Sequence, residues 1–407
     1  MSSINPRLRK TDSKENWNIA KLGEVVKEYR VSNKLVHHQN LLSLSYGKIV
    51  QKDIESKKGL LPASFDTYQI IKEDIIVFRV TDLQNDKKSL RVGISNQEGI
   101  ITPAYVCVEC DKTKISPSYL FTLLHYYDSI TKVMYKMGDG LRQTLSYSDL
   151  KDLVIYIPSI NEQHFITDIF KNIDFYIGKE ASRLSSIKQM KMASLQAMFP
   201  QPGETMPKIR FKGFEGKWTK IKLNSFAKRI TRKNSNLESS LALTIASAQG
   251  LVSQIDYFNN LVVGSNIRNY YLLKKGEFAY NKSYSNGYPY GSVKRLDRYD
   301  QGILSTLYIT FSINDSISSD YLAHFFDTSL WHKEVAERAA EGARNHGLLN
   351  IGANDFLDIN IWKPESMEEQ QKIADYFTSL DKQIDYQSQR LEKLKQIKSA
   401  CLDKMFV

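Results

Sequence analysis

Three cysteines in 407 residues are too few for a disulfide framework, which points to a reducing compartment. Two of them, Cys107 and Cys110, form a C-x-x-C within the strand-like run Ala-Tyr-Val-Cys-Val-Glu-Cys. Residues three apart in a strand point to opposite faces, so zinc or redox chemistry is not expected there. Also missing is any apolar stretch near the roughly 18 residues that a membrane span needs. The opening Met1–Lys10 carries no apolar run of a signal-peptide kind, and a cytoplasmic protein is expected.

Catalytic signatures are scarce as well. There is no G-x-x-x-x-G-K-[ST] phosphate loop, since Gly213-Phe-Glu-Gly-Lys-Trp218 has the wrong spacing, and neither H-E-x-x-H nor G-x-S-x-G occurs. Glu55-Ser-Lys57 has the E-x-K form of a metal-dependent nuclease, but residues 25 to 45 offer no acidic partner other than Glu28. The seven histidines form no motif, and His37-His38 reads as a surface pair. A methyltransferase needs a Gly-rich cofactor turn and an Asn/Asp-Pro-Pro-aromatic pocket, and neither is present. No catalytic residue, metal site or cofactor site is therefore expected on this chain.

What is present in excess is positive charge. A formal net charge of +11 implies an anionic partner, nucleic acid first. The 23 tyrosines agree with that, because tyrosine joins a flat contact surface to a hydrogen-bonding tip. A hydrophobic content of 42% and the length suit two or three globular domains.

The chain repeats itself. Residues 162–199 align without a gap to 369–406, and sixteen of the 38 positions are identical, where about two or three would match by chance. Upstream, Pro6, Arg9, Trp17, Lys21 and Leu22 recur as Pro207, Arg210, Trp218, Lys222 and Leu223. Between these points Gly99-Ile100 parallels Gly302-Ile303, Tyr119-Leu120 parallels Tyr321-Leu322, and Gly140-Leu141 parallels Gly347-Leu348. The period is too long for a solenoid and implies two lobes with internal pseudo-two-fold symmetry.

Within the repeated segment the apolar residues follow heptad spacing: Ile166, Phe170, Ile173, Ile177, Leu184, Ile187 and Met198, then Ile373, Phe377, Leu380, Ile384, Leu391, Leu394, Cys401 and Met405. This predicts two helices of about 55 Å that pair as an antiparallel coiled coil. They follow Pro158 and Pro364, and Phe-Pro-Gln-Pro-Gly203 ends the first. Glu180, Lys191, Gln387 and Lys398 interrupt the seam. They are expected either to be solvated or, as the preferred reading, to face helices of a partner protein.

The fold predicted is α+β: two globular lobes joined by the two helices. The divisions are an N-terminal segment 1–16, a first lobe 17–157, a helical region and linker 158–217, a second lobe 218–363 and a second helical region 364–407. Asp74–Val80 and Gly302–Phe311 read as strands, Ser118–His125 and Asp320–Phe326 as helices. The lobes differ most where Phe78–Arg91 stands opposite Tyr280–Arg295, both rich in residues that contact bases and phosphates. Candidate DNA contacts are Arg79, Lys87, Lys88 and Arg91 in the first lobe and Lys282, Tyr284, Asn286, Lys294 and Arg295 in the second. For any one of these, a merely solvated loop residue is the bland alternative.

The order Pro-x-x-Arg before Trp and Lys-Leu, then Pro, Glu-Gln-x-x-Ile, a long helix and a closing Met-Phe, occurs in both halves. This combination resembles the specificity subunit of type I restriction-modification systems over essentially the full chain. One departure is Lys10 where the second half has Phe211. The resemblance implies two target-recognition domains, each reading half of a bipartite, asymmetric site on double-stranded DNA. It also implies helical regions that set the spacer and dock two methyltransferase subunits. S-adenosylmethionine, ATP and Mg would lie on those partners and on motor-nuclease restriction subunits, in a bacterial or archaeal cytoplasm. The alternative is a free-standing DNA-binding regulator or scaffold with a coiled-coil rod, although regulators usually pair identical lobes as homodimers.

Overall fold

The structure is a computed structural model and describes residues 9, 16–36, 38–52, 64–81, 90–137, 144–247, 249–258, 260, 266–285, 287–339 and 349–406. The candidates Lys87, Lys88 and Asn286, the Glu55-Ser-Lys57 triplet, His37 and the Gly140-Leu141 and Gly347-Leu348 pairs lie outside the described residues. The chain forms two compact units: Met1–Ala181 with Gln389–Val407, and Ser182–Ser388. Each unit holds one lobe and one half of each long helix.

In the first unit the order is β1 (Asn18–Lys21), β2 (Val26–Glu28), β3 (Leu42–Ser45), β4 (Lys48–Gln51), β5 (Gln69–Ile71), β6 (Ile76–Phe78), β7 (Val92–Ile94), β8 (Gly99–Ile101), β9 (Val106–Cys110), α1 (Pro117–Tyr126), α2 (Val133–Met137), α3 (Tyr147–Leu150), β10 (Val154–Ile157) and the start of α4 (Ile160–Met198). The second has β11 (Thr219–Lys222), β12 (Ala227–Arg229), β13 (Leu243–Ala246), β14 (Gly250–Ser253), α5 (Gln254–Phe258), β15 (Tyr271–Lys274), β16 (Phe278–Asn281), β17 (Ser292–Arg295), β18 (Gln301–Leu304), β19 (Ile309–Ile313), α6 (Ser319–Phe325), α7 (His332–Arg338), α8 (Ala353–Leu357), β20 (Asn360–Lys363) and the start of α9 (Met367–Met405). The two wirings are the same. A four-stranded antiparallel sheet β2-β9-β6-β7 in one is β12-β19-β16-β17 in the other, with ribbons β1-β10, β3-β4 and β5-β8 answering to β11-β20, β13-β14 and β15-β18.

The repeated Gly99 and Gly302 have the same cause. A Cβ on Gly99 would lie 2.5 Å from the Asn40 carbonyl oxygen, and one on Gly302 would lie 2.4 Å from Leu243 Cδ1, so each admits the first strand of the neighbouring hairpin across β8 or β18. The stretch Gly302–Phe311, expected as one strand, is two: Ser305–Tyr308 turns between β18 and β19. Its apolar alternation runs on through the turn and conceals it. Cys107 and Cys110, by contrast, are buried in different clusters of the first lobe, and burial pushes each thiol up to about 12.

The repeated sequence motifs hold the core together. Glu162, in the first turn of α4, accepts from Arg9 at 3.0 and 2.8 Å; Glu369, in that of α9, accepts from Arg210 at 2.7 and 2.8 Å. Gln163 Oε1 accepts the Ser116 amide at the start of α1, and Gln370 Oε1 accepts that of Ser318 at the start of α6. Both amides are donors that a helix N-terminus leaves without an intrahelical acceptor. The closing phenylalanines complete the cores. Phe406 packs with Trp17, Tyr119, Tyr126 and Phe170 in the first unit, and Phe199 with Trp218, Tyr321, Phe325 and Phe377 in the second.

Both helices run 39 residues without a break, about 58 Å each. In each unit their halves pair antiparallel. Asp174 meets Lys398 and Glu180 meets Arg390 in the first; Lys191 meets Asp381 and Ser194 meets Tyr376 in the second. Ile166, Phe170, Ile187, Met198, Ile373, Phe377, Leu380 and Met405 are buried, while Ile173, Ile177, Leu184, Ile384, Leu391 and Leu394 are half-buried.

The polar seam residues correct the expectation that they face solvent or a partner. Glu180 and Gln387 are buried, 5% and 3% exposed. Lys398 donates to Asp174 at 2.7 Å, and Lys191 to Asp381 at 2.7 Å. A lysine in a seam stays charged when carboxylates within hydrogen-bond reach offset its desolvation; burial pushes the Lys191 pKa down, but Asp327 and Asp381 outweigh it and hold it above the usual value.

Candidate nucleic-acid interface

The loops that diverge between the lobes are the connections β6–β7 and β16–β17, inner and edge strands of the same sheet in each lobe. In the second lobe Tyr280 donates its hydroxyl to the Tyr290 carbonyl (2.8 Å), and the Ser283 amide donates to Asn281 Oδ1 (3.0 Å). The Lys282 carbonyl accepts the Leu349 amide at 2.9 Å. This bracing leaves Tyr284 at 54% exposure and Lys282 half-buried. In the first lobe Arg79 follows β6, half-exposed, with its amide donating to the Arg91 carbonyl at 2.8 Å.

One candidate is corrected, and two more are held in ion pairs within the lobe. Arg91 is 0% exposed; its Nη1 donates to the Thr81 carbonyl at 2.6 Å, its Nε to the Tyr135 hydroxyl at 3.2 Å, and its amide to the Asp128 carboxylate. Burial pushes the Asp128 carboxyl up, against the pull of the Arg91 amide and charge. A guanidinium with no surface reaches no phosphate. Lys294 donates to Asp327 at 2.7 Å. Arg295 donates to Asp297 and Asp320 at 2.6 Å each and to Ser319 Oγ at 2.8 Å. These charges anchor β17 to α6 and the turn after it.

Asp327 is the hub of a wider network that includes Lys191 (3.0 Å) and His324 (3.8 Å). Burial alone would raise its pKa, but Lys294, His324 and Lys191 hold the carboxyl well below the usual range. His324, Asp327 and Asp381 converge closely enough to bind a cation. The Lys191 ammonium sits between the two carboxylates, at 3.0 Å from Asp327 and 2.7 Å from Asp381, and fills that role itself.

Sequence reasoning missed the edge strands. Lys228 and Arg229 on β12 are exposed, and no ion pair of theirs is found among the described residues. Strands β12 and β16 both run antiparallel to β19, so they run the same way. Arg229 pairs with Phe311, which also pairs with Phe278, so Arg229 lies level with the start of β16 and points along the edge towards the end that carries the β16–β17 loop. Lys27 and Arg30 are exposed on and just after β2, the matching edge in the first lobe. The signal available was the run Lys228-Arg-Ile-Thr-Arg-Lys233, five of whose six residues are polar.

Solved structures share this architecture. The crystal structure of a type I restriction-modification system S subunit from M. genitalium aligns over 99% of both chains with a TM-score of 0.61 at 15% identity. The chain has the fold of a type I S subunit. A second structure, from work on complex assembly and conformational transition of the type I R-M system, aligns over 96% of this chain and 97% of its own, with a TM-score of 0.50 at 16% identity. No protein-family model and no curated protein sequence matches the chain. No helix among the described residues is long and apolar enough to cross a membrane.

Proposed function

We propose that this protein is the DNA sequence-recognition subunit of a type I restriction-modification complex and is itself not an enzyme. The observation that carries the proposal is an S-subunit fold over 99% of the chain in which two identically wired lobes carry loops of dissimilar sequence. One scaffold with two different reading surfaces suits a bipartite, asymmetric site, each lobe reading one half. Exposed Lys228 and Arg229 supply sequence-independent attraction to phosphate, and Tyr284, with Lys282 beside it, the contact to bases.

The paired helices set the distance between half-sites and dock two methyltransferase subunits. Beyond the seam they display Phe175, Tyr176, Met190, Met192, Tyr386 and Ile397, each at least 43% exposed, more apolar surface than a solvated helix pair needs. S-adenosylmethionine, ATP and Mg belong to those subunits and to the restriction subunits. A free-standing regulator would have no use for so many exposed apolar side chains on its helices.

The test is to assemble the chain with its methyltransferase subunits and map methylated adenines in host DNA. Exchanging residues 218–363 for the same lobe of a relative is expected to change one half of the methylated motif and spare the other. A change in both halves, or turnover by the isolated chain with S-adenosylmethionine or ATP, would refute the proposal.

A further inference from the structure

The β3–β4 hairpin of the first lobe ends in a two-residue turn, Tyr46-Gly47, closed by the Ser45–Lys48 pair. Both residues have positive φ, 47° and 77°, the conformation of a type I′ turn, which Asn, Asp and Gly adopt most readily. Gly47 fits the rule. Tyr46 does not, and its ring adds little to the core because the residue is 73% exposed.

The turn also has a particular neighbour. A Cβ on Gly47 would stand 3.1 Å from Leu90 Cβ and 3.4 Å from the Val92 carbonyl, so the turn lies against the point where the β6–β7 loop re-enters the sheet. In the second lobe the matching turn touches the matching loop. Ser247 Oγ lies 3.0 Å from Ser292 Oγ and 3.4 Å from Ser285 Oγ, and Gln249 on that turn is exposed. The charge of the hairpin itself is of one sign: Lys48 and Lys52 are exposed, and residues 41–52 contain no acidic side chain.

We propose that the Tyr46 turn is a second DNA-contact element of the first lobe, with Tyr46 a specificity-determining residue that packs its ring on a base or sugar and Lys48 a phosphate contact. The inference rests on the proposed role in DNA recognition. A residue held in an uncommon backbone conformation and turned outward is a mark of function when the fold gains nothing from its side chain. Packed against a base edge, an aromatic ring favours the thymine methyl over the polar edges of other bases, and the adjoining lysine adds attraction to the backbone.

The experiment uses the full chain assembled with its methyltransferase subunits. The probes are a duplex carrying the motif that the wild-type assembly methylates and a duplex with the first half-site scrambled. The variants are Tyr46→Gly and Tyr46→Asn, which suit the left-handed backbone and are expected to melt no lower than wild type. Both are expected to bind the motif duplex about tenfold or more weakly and to relax one half of the methylated motif only. Affinity within about twofold of wild type together with an unchanged motif would overturn the inference while leaving the recognition role intact. A lower melting temperature in both variants would make the ring structural and overturn it as well. Equal binding of the two duplexes by the wild-type assembly would remove the recognition role, and this inference with it.

Discussion

Phe406→Ala tests how the first lobe is completed. Phe406 is 2% exposed and lies within ring contact of Trp17 (6.4 Å), Tyr119 (6.1 Å), Tyr126 (5.4 Å) and Phe170 (6.1 Å). Removing a buried phenyl ring costs about 3–5 kcal/mol in transfer and cavity terms. Four aromatic neighbours place this site in the upper half of that range, because edge and stacked pairs contribute beyond area. The unit has 200 residues, for which each kcal/mol shifts the melting temperature by roughly 2–4 °C. A fall of about 8–20 °C is expected for that unit. Hydrogen exchange read peptide by peptide would locate it: amides of β1, α1 and β10 lose protection while those of the second lobe keep theirs. Phe199→Ala should show the reverse pattern, since Phe199 fills the same place beside Trp218 and Tyr321. A loss below about 1 kcal/mol, or equal loss in both units, would refute the reasoning that each core is closed by the end of a long helix.

Replacing Lys228 and Arg229 together by alanine is expected to weaken DNA binding by the assembly on all sequences and to flatten its salt dependence by about two units of slope, with the melting temperature unchanged; an unaltered slope would move the phosphate contacts elsewhere. Arg91→Ala should do the opposite. It empties a buried site and strips Asp128 of a neighbouring charge, costing about 3 kcal/mol, and a variant as stable as wild type would mean that Arg91 is not the strut its bonds imply. For Asp327 the sign follows from a folded pKa held below the ordinary 3.8: its charge stabilises the fold fully above that value, and the contribution is lost as pH falls through the lower folded pKa. Asp327→Asn should therefore melt lower than wild type at neutral pH, with the gap closing below about pH 4; a gap independent of pH would refute the assignment.

The long helices were legible in the sequence because a coiled-coil seam is a local pattern. Ile166 to Met198 and Ile373 to Met405 keep heptad spacing, and 3.6 residues per turn brings that spacing to one face whatever surrounds it. The duplication was legible for a similar reason, since Glu-Gln, Arg-Leu and Met-Phe recur at a constant offset without any knowledge of contacts. What those motifs do was not. Glu162 and Glu369 are arginine partners, and Gln163 and Gln370 cap other helices, through residues 47 to 159 positions away in the chain. No window on the sequence spans such pairs.

The same limit governs the candidate contacts. Arg79 and Arg91 flank one loop and have the same chemistry, yet one is half-exposed and the other has no surface, a difference set by where α2 and the Asp128 segment pack. Lys294 and Arg295 read as surface cations until Asp327 and Asp320 are brought beside them. The sequence by itself determined that the chain is basic and duplicated. Only the tertiary structure decided which charges are available to a partner, because a charge is neutralised by whatever lies within about 4 Å in space, irrespective of distance along the chain.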